Sequence, residues 1–357
     1  MVKIKEFQEI LKKKKIDFAI FCNIDFVRFD CDMAYFSGYG GIGALILPKD
    51  KKPFLIVSRD GAAKAKKLKI KSYVLPKKKR LFEFIKEKVR HSKVKSRKIG
   101  VNKEEFTLLL KDYLKKNFKK SRLMDLREEL YKLREIKTKK EIEIIKKGCK
   151  ISDEILRMCF KDFKKFKTEA EVKAFLEYET KKRNCELSFP TIVASGKNSS
   201  EVHHDTSDEK IKRGFCVIDF GIRYKNYCTD TTRTVYVGKP TKNDAEIYNK
   251  LLRVQKKAII DVKVGEECKN LNESVKRSLG SNAKNFIHGL GHGIGVKIHE
   301  LPNLTEKSSD KFENGQILTI EPGIYFKNFG IRIEDDILIL DNRVFVLTKT
   351  RKELILV

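Results

Sequence analysis

The chain has 357 residues, 41% of them hydrophobic, and a formal net charge of +30 at pH 7. This length exceeds the size at which a single hydrophobic core usually stops growing, so we expect two domains. The sequence has neither a signal-peptide-like start nor an apolar stretch of roughly 20 residues, which argues against secretion and against a membrane partner.

The cysteines and the basic charge argue against two further classes of protein. The eight cysteines are scattered without a Cys-x-x-Cys pair, so we expect reduced thiols and a cytoplasmic location. A basic excess can indicate a nucleic-acid partner. Here lysine rather than arginine supplies most of the excess, and it is spread from Lys3 to Lys352 without an aromatic-interleaved basic motif. We therefore do not expect nucleic-acid binding.

Residues 1–125 alternate between helical periodicity and short apolar runs. The first helical stripe is formed by Ile4, Phe7, Ile10 and Leu11. After it, the patterns predict strands at 17–22, 42–47, 53–58 and 71–75, and helices at 81–89 and 104–117. This alternation is typical of an α/β domain in which helices cover a sheet.

The pattern changes after residue 125, and we interpret residues 126–137 as a linker. Thr138 and Glu141 then form a capping box, which predicts a long helix that ends near residue 160. A second capping box at Thr168 predicts a helix that ends near residue 183. Further helices are predicted at 242–263 and 268–279, and strands at 214–220, 227–237, 316–321, 331–340 and 343–347. Helices grouped around hairpins indicate an α+β domain over residues 138–357.

A first acidic pair lies in a predicted hairpin of this second domain. If Tyr224 and Lys225 form the tip, Asp219 lies directly opposite Asp230 on the neighbouring strand. Their Cβ atoms would then be about 5 Å apart on one face of the sheet. Two carboxylates at that distance repel each other unless they are protonated or bridged by cations.

A second hairpin repeats this arrangement with glutamates. A turn at residues 327–328 places Glu321 opposite Glu334. A single acidic pair could arise by chance or be satisfied by an arginine, for which Arg332 and Arg233 are candidates. Two such pairs in one domain are harder to explain in that way, and they favour a bound cation.

Glycines alternate with larger residues in a histidine-rich segment between the two hairpins. Glycine at 289, 291, 293 and 295 prevents a stable helix and leaves one face of an extended chain without side chains. The other face carries His288, Leu290, His292 and Ile294. Three of the six histidines of the chain lie between residues 288 and 299, and His203 and His204 are two of the others.

The donor set indicates the kind of metal. Carboxylates with one imidazole suit Mn²⁺, Co²⁺, Fe²⁺ or Zn²⁺ in an oxygen-rich site, and do not suit a thiolate zinc site. Four carboxylates also balance the charge of two divalent ions. Two ions about 3.5–4 Å apart that share a water would supply a hydroxide near neutral pH and polarise a carbonyl, which is a common route to amide hydrolysis.

Residues 133–357 resemble the pita-bread metallopeptidases, the family that contains aminopeptidase P, prolidase and methionine aminopeptidase. The segment from His288 to Glu300 fits the proline-peptidase signature at every constrained position. The motifs Glu321-Pro-Gly-x-Tyr325 and Gly330-x-Arg-x-Glu-Asp335 fit equally well. The resemblance implies an N-terminal α/β domain of the creatinase type followed by an α+β pita-bread catalytic domain.

The resemblance also implies roles for individual residues. It assigns five ligands of two divalent ions, with Mn²⁺ the first expectation: Asp219, Asp230, His292, Glu321 and Glu334. Asp230 and Glu334 would bridge the ions, and Glu321 would also move a proton to and from a bridging water. His203 and His299 would position the substrate and stabilise the tetrahedral intermediate.

Other polar residues of these motifs are expected to support the site. His288, Arg332 and Tyr325 would lie in the substrate pocket or orient ligands through hydrogen bonds. We expect purely structural roles for His204, Asp205, Asp335 and Asp336. The hairpin carries Asn226 where many relatives have glycine, and asparagine tolerates the positive φ angle that this position would need.

The choice within the family depends on features outside the ligand set. Methionine aminopeptidases usually lack a large preceding domain, and creatinase lacks the metal carboxylates. Prolidases often place an arginine between the second catalytic histidine and the Glu-Pro-Gly motif, but residues 301–320 contain only Lys307 and Lys311 as strongly basic residues. We therefore favour an Xaa-Pro aminopeptidase that acts on short peptides with proline in second position, by attack of a metal-bridging hydroxide.

Two alternatives remain beside this assignment. The first is an Xaa-Pro dipeptidase, or prolidase, and the more remote one is a non-catalytic pita-bread binding protein. The resemblance further implies a homodimer, and it implies that the first domain lines one wall of the active site.

Overall fold

The structure is a computed structural model that describes residues 3–25 and 29–357. They form two compact units that divide between Leu133 and Arg134. The expectation of two domains, an α/β domain followed by an α+β domain, is confirmed. Among the described residues, no helix combines the length and the apolar character that crossing a bilayer requires.

The first unit is a six-stranded mixed sheet with helices. Its strands are β1 (Phe18–Asn23), β2 (Gly43–Pro48), β3 (Phe54–Val57), β4 (Lys71–Val74), β5 (Lys98–Val101) and β6 (Arg122–Asp125). Its helices are α1 (Ile4–Lys13), α2 (Cys31–Ser37), α3 (Ala62–Lys66), α4 (Leu81–His91), α5 (Leu108–Asn117) and α6 (Arg127–Glu135). The strand order is β4-β3-β2-β1-β5-β6. The inner strands β1, β2 and β3 are buried at every position, which explains why they appear in the sequence as continuous apolar runs.

Several helices of this unit differ from the sequence prediction, and the short helix α3 was not predicted. Helix α5 begins at Leu108, four residues later than predicted, because the Thr107 hydroxyl caps it by accepting the Leu110 backbone N–H at 3.3 Å. Helix α2 was not predicted. Every residue of α2 is buried, so its sequence lacks the polar face that would mark a surface helix.

Helix α6 occupies most of the stretch that we interpreted as a linker. Leu126, Leu130 and Leu133 are buried and follow the spacing of one helical face. The apolar stripe was not recognised in the sequence, because the charged residues between these leucines resemble a solvent-exposed connection. The stretch 126–137, which we interpreted as a linker, is therefore helical over Arg127–Glu135.

The second unit contains four helices and four small sheets. The helices are α7 (Lys139–Asp162), α8 (Glu169–Lys182), α9 (Lys242–Asp261) and α10 (Cys268–Leu279). The first strands are β7 (Glu186–Leu187), β8 (Ile192–Ser195), β9 (Gly214–Asp219), β10 (Ile222–Tyr224), β11 (Tyr227–Cys228) and β12 (Thr232–Val237). The later strands are β13 (Gly291–Gly293), β14 (Glu300–Leu304), β15 (Ile317–Ile320), β16 (Gly323–Tyr325), β17 (Gly330–Arg332), β18 (Asp335–Leu340), β19 (Arg343–Val346) and β20 (Ile355–Leu356).

The sheets of this unit place the two hairpins and the histidine segment together. The four-stranded sheet has the order β20-β12-β9-β8, and the five-stranded sheet has the order β14-β13-β15-β18-β19. Two smaller sheets contain β11-β10-β7 and β16-β17. Strand β17 also contacts β9 and β12, so the glutamate hairpin lies beside the aspartate hairpin.

The capping box predicted at Thr138 is present in the structure. The Thr138 backbone N–H donates to Glu141 Oε2 at 2.8 Å, and the Glu141 backbone N–H donates to Thr138 Oγ1. Because it fixes the start of the longest helix of this unit, we expect Thr138→Ala to lower the free energy of unfolding by about 1 kcal/mol. Urea unfolding measures this change. Thr305→Ala, at an exposed position outside any helix cap, is the control and should change stability by less than about 0.5 kcal/mol.

Candidate metal centre

The aspartate hairpin has a different register from the predicted one. Its tip is Lys225 and Asn226, which both have positive φ angles, 48° and 73°. A two-residue hairpin turn of this type needs two such residues, and asparagine tolerates the conformation well. Tyr224 therefore pairs with Tyr227, and Asp219 pairs with Thr232 instead of Asp230.

The predicted direct opposition of Asp219 and Asp230 is therefore wrong, but the two side chains still meet. The partner of Asp219 shifts by two residues, and side chains alternate with a period of two, so such a shift preserves the face. Asp230 lies in the break between β11 and β12, and it lines the same cavity as Asp219.

The glutamate hairpin has the predicted register. Tyr325 pairs with Gly330 next to the turn at 327–328, and Gly323 pairs with Arg332. On the other side of the two glutamates, Ile320 pairs with Asp335 in the same register. Glu321 and Glu334 thus occupy facing positions where the ladder is interrupted between two sheets, and both side chains line the cavity.

The glycines of the histidine segment allow close strand packing. A Cβ atom on Gly291 would collide with the carbonyl oxygen of Thr319 in β15, and one on Gly293 would collide with the carbonyl oxygen of Leu301. The sequence predicted that some group approaches these glycines closely, and in the structure that group is the backbone of the neighbouring strands. It fixes β13 between β14 and β15 and directs His292 towards the carboxylates.

Acidic and imidazole ligand atoms converge beside β13. One ligand atom from each of Asp230, His292 and Glu334 lies within 4.8 Å of the other two. His292 Nε2 is 3.6 Å from Asp230 Oδ2 and 3.4 Å from Glu321 Oε1. Asp219 and Glu321 lie outside this tightest group, and Asp219 Oδ2 accepts a hydrogen bond from Arg332 Nη2 at 2.7 Å.

These side chains line a cavity of about 490 Å³, within the usual range for a small-molecule site. Of the ten residues predicted for the site, nine line it: His203, Asp219, Asp230, His288, His292, His299, Glu321, Arg332 and Glu334. Tyr325 is buried behind them, and its hydroxyl group is 3.2 Å from His288 Nε2.

His292 presents a lone pair to the carboxylates. Burial lowers the pKa of His292 to about 3, with the neighbouring His299 as a second cause, so the ring is neutral at pH 7. The Nδ1 atom lies 3.1 Å from the carbonyl oxygen of Gly293. Because a carbonyl only accepts, Nδ1 carries the proton and Nε2 is left as an acceptor that faces carboxylate oxygens.

The carboxylates are electrostatically unsatisfied. Burial raises the pKa values of Asp230 and Glu334 well above their usual range, and repulsion between the neighbouring carboxylates adds to the effect. Burial also raises the pKa of Glu321 to about 7, although Arg332 opposes this change. The Oδ1 atoms of Asp219 and Asp230 are buried without a hydrogen-bond partner.

A divalent cation fits this donor set. An imidazole lone pair that faces carboxylate oxygens, together with two buried and unpartnered oxygens, is repulsive unless positive charge lies between the groups. Among the described residues, Arg332 is the only arginine that lines the cavity, and it forms an ion pair with just one of the four carboxylates, Asp219. Oxygen donors with one imidazole suit a hard or borderline ion.

Hydrogen bonds hold the carboxylates in place. Thr232 Oγ1 donates to Glu334 Oε2 at 2.7 Å and accepts from Arg332 Nε at 3.1 Å. Thr319 Oγ1 donates to Glu321 Oε1 at 3.2 Å and accepts the backbone N–H of His292 at 3.0 Å. Thr319 was not predicted, although it precedes Glu321 by two residues, the spacing of one strand face.

Other predicted residues form a second layer. Arg332 donates to the Tyr325 hydroxyl oxygen, and this hydroxyl lies next to His288 Nε2. Burial lowers the pKa of His288 to about 4, with Arg332 as the second cause, so this ring is neutral as well. Asp335 does not line the cavity and forms an ion pair with Arg233, whose Nη2 atom is 2.8 Å from Asp335 Oδ1. This contact is consistent with the structural role expected for Asp335.

The two histidines assigned to substrate, His203 and His299, are exposed at the cavity. The ring of His299 lies 4.3 Å from that of His292, and the next residue, Glu300, is buried in an ion-pair cluster. Arg134 Nε donates to Glu300 Oε1 at 2.8 Å, and Lys137 Nζ lies 3.5 Å from Oε2. This cluster fixes the backbone that carries His299.

The family models match almost the whole chain. Residues 143–341 match metallopeptidase family M24, and residues 3–136 match the creatinase/prolidase N-terminal domain. The chain belongs to metallopeptidase family M24. Its pita-bread catalytic domain and its preceding creatinase-type domain confirm the expected fold class.

Individual M24 relatives extend this comparison. An Xaa-Pro dipeptidase of Pyrococcus furiosus is 42% identical over 228 residues, which cover 62% of this chain and 66% of that protein. The prolidase structure from Pyrococcus horikoshii OT3 has a TM-score of 0.88 at 31% identity, and the match covers 99% of both chains. An X-Pro aminopeptidase structure from Thermotoga maritima has a TM-score of 0.89 at 30% identity and covers 96% of this chain and 98% of that chain.

These relatives support the dipeptidase alternative better than the favoured assignment. The aminopeptidase preference depended on the absence of an arginine from residues 301–320. Since two relatives named as Xaa-Pro dipeptidases are 42% identical to this chain over 62% of its length, that single absence is weak evidence. A positive charge for a substrate carboxylate can come from another element of the fold.

Proposed function

We propose that this M24 metallopeptidase is an Xaa-Pro dipeptidase, which hydrolyses the bond between the first residue and a C-terminal proline. The observation that carries the proposal is the convergence of four carboxylates and one neutral imidazole at a cavity of about 490 Å³. The 42% identity to an Xaa-Pro dipeptidase supports the substrate class.

Five side chains would hold two divalent ions, with Mn²⁺ as the first metal to load: Asp219, Asp230, His292, Glu321 and Glu334. Ions bound there supply Lewis acidity towards a peptide carbonyl and lower the pKa of water. The chain provides the charge balance, because four carboxylates carry four negative charges and the imidazole is neutral.

The remaining polar groups would act on the substrate. Glu321 is suited to accept a proton and return it, because its carboxylate lines the cavity beside the proposed ions. His203 and His299 are exposed at the cavity and can donate hydrogen bonds to a peptide oxygen. Partial desolvation within the cavity lowers the pKa of His299, with the neighbouring His203 as the second cause.

The apolar part of the cavity wall fits a proline side chain. Phe189, Ile192, Val202 and Ile298 line the cavity beside the polar groups. A pyrrolidine ring has no N–H group once it is acylated, so a mainly apolar surface can cover it without leaving an unpaired donor.

Substrate length tests the proposal. With Mn²⁺-loaded protein, we expect kcat/KM for Ala-Pro to exceed that for Ala-Pro-Ala by about 10-fold or more, since a buried charged contact is worth more than 1.4 kcal/mol. Ala-Ala is the control for proline specificity and should be cleaved poorly. Product analysis by liquid chromatography measures all three reactions. Equal hydrolysis of Ala-Ala and Ala-Pro would contradict proline specificity.

The second candidate is an Xaa-Pro aminopeptidase. The X-Pro aminopeptidase of Thermotoga maritima favours it, because its structure matches this chain as well as the prolidase does. Faster cleavage of Ala-Pro-Ala than of Ala-Pro would support this candidate and overturn the dipeptidase proposal. A cytoplasmic location and a homodimer remain predictions from the sequence.

A further inference from the structure

In the part of the chain that the structure describes, two cationic side chains other than histidine line the cavity, Arg332 and Lys173. The guanidinium group of Arg332 already donates hydrogen bonds to several groups of the protein. Its Nε atom donates to Thr232, its Nη1 atom to Val202 O and to the Tyr325 hydroxyl, and its Nη2 atom to Asp219. Little donor capacity is left on Arg332 for a substrate, since a guanidinium group has five N–H donors.

Lys173 lies on α8, one turn after Glu169. Residues four apart share a helix face, and this face is directed to the loop that carries the substrate histidine His203. Glu169 is fully buried, and its Oε2 atom lies 3.0 Å from Nε2 of His204 in that loop. Glu169 Oε1 accepts the Ser195 hydroxyl at 2.8 Å and so fixes α8 against β8.

The ammonium group of Lys173 is available to a ligand. Lys173 is half-buried at the cavity, and within residues 3–25 and 29–357 it forms no ion pair and no hydrogen bond. Asp205 also lines the cavity but is not paired with Lys173 among these described residues. Lysine is a compact point charge with three donors, which suits a carboxylate.

We propose that Lys173 binds the C-terminal carboxylate of the substrate and thereby selects dipeptides. This inference rests on the proposed Xaa-Pro dipeptidase function and deepens it. A dipeptide differs from a longer peptide by a negative charge next to the proline ring. Lys173 supplies the complementary charge from α8, which accounts for dipeptide recognition without an arginine at residues 301–320.

Kinetics of Lys173→Met test this role. For Ala-Pro we expect KM to rise about 10- to 100-fold, the usual value of a hydrogen bond to a charged group, while kcat stays within about twofold. For the amide Ala-Pro-NH₂, which lacks the carboxylate, wild type and variant should have equal KM values. Lys173→Arg should recover part of the loss. Lys181→Met, at an exposed position on the same helix, is the matched control and should behave as wild type.

Binding separates this inference from the proposed function. A reduced-amide analogue of Ala-Pro and its C-terminal amide can be titrated calorimetrically into both proteins. Wild type should bind the acid about 10- to 100-fold more tightly than the amide, and Lys173→Met should bind both equally. If wild type hydrolyses Ala-Pro but Lys173→Met keeps its KM, the role of Lys173 is overturned and the dipeptidase proposal stands. If wild type is inactive on Ala-Pro, the proposed function fails, and equal binding of acid and amide then overturns the inference as well.

Discussion

Replacement of Asp230 by asparagine is expected to lower kcat/KM for Ala-Pro by about 1,000-fold or more without unfolding the chain. Asp230 contributes an oxygen atom to the tightest group of ligand atoms, and asparagine preserves the shape of the side chain but removes its charge. Lewis-acid stabilisation is worth several kcal/mol, and each 1.36 kcal/mol is a factor of ten in rate. Activity assays after Mn²⁺ loading and metal analysis of the dialysed protein measure the effect.

The stability of the metal-free protein provides a second readout for Asp230→Asn. Burial and the neighbouring carboxylates raise the pKa of Asp230 in the folded state above its unfolded value of about 3.9. The folded state therefore binds more protons than the unfolded state, so the Asp230 contribution to stability is lost as pH rises through the folded pKa.

Removal of this charge should make metal-free Asp230→Asn more stable than wild type at pH 8 and reduce the pH dependence. Thermal melting in the presence of a chelator measures both quantities. Asp208→Asn, at an exposed position, is the control. Retention of full activity in Asp230→Asn would refute the metal-dependent mechanism.

The largest effect on folding is expected from Arg233→Met. Arg233 is 1% exposed, and its guanidinium group pairs with Asp335 Oδ1 at 2.8 Å and donates to Thr350 O at 2.8 and 3.0 Å. Methionine has a similar length but removes these donors, so Asp335 Oδ1 keeps only the hydrogen bond from the Thr348 hydroxyl among the groups that the structure describes. Breaking a buried ion pair on one side costs about 3–5 kcal/mol, so the urea midpoint should fall sharply.

Two observations check this expectation. Arg253→Met, which removes an exposed arginine from α9, should change the free energy of unfolding by less than about 0.5 kcal/mol. Arg233 Nη1 also donates to the backbone carbonyl of Glu334, so folded Arg233→Met should bind metal more weakly. A loss of stability below about 1 kcal/mol would show that Lys352, Gln255 and Thr348, the other partners of Asp335, satisfy its carboxylate by themselves.

Local rules predicted most of the fold of the second unit from the sequence. The capping box at Thr138 and the turn at 327–328 act within a few residues, so the sequence predicts the start of α7 and the register of the glutamate hairpin correctly. The predicted register of the aspartate hairpin was wrong, because that register depends on which two residues adopt positive φ angles. Lys225 gives no sequence signal for that conformation, so the turn was placed one residue too early.

Features that depend on tertiary packing were not visible in the sequence. Lys173 is one lysine among many, and only its position on α8 shows that it reaches the cavity. From the sequence, two arginines were candidates for pairing with the acidic groups. Tertiary packing decides their partners: Arg332 forms an ion pair with Asp219, and Arg233 forms one with Asp335. Spacing gives the residue types of a site, and packing decides which charges neutralise one another.

The ion-pair cluster around Glu300 sets a limit on how short a catalytic fragment can be. The family match begins at residue 143 and the capping box begins at Thr138, yet Arg134 and Lys137 precede both. A fragment that starts at residue 138 would leave the Glu300 carboxylate desolvated and without either cation, directly beside His299. Arg134 at the end of α6 and Lys137 just after it are therefore needed to stabilise the backbone beside His299, although no sequence motif includes them.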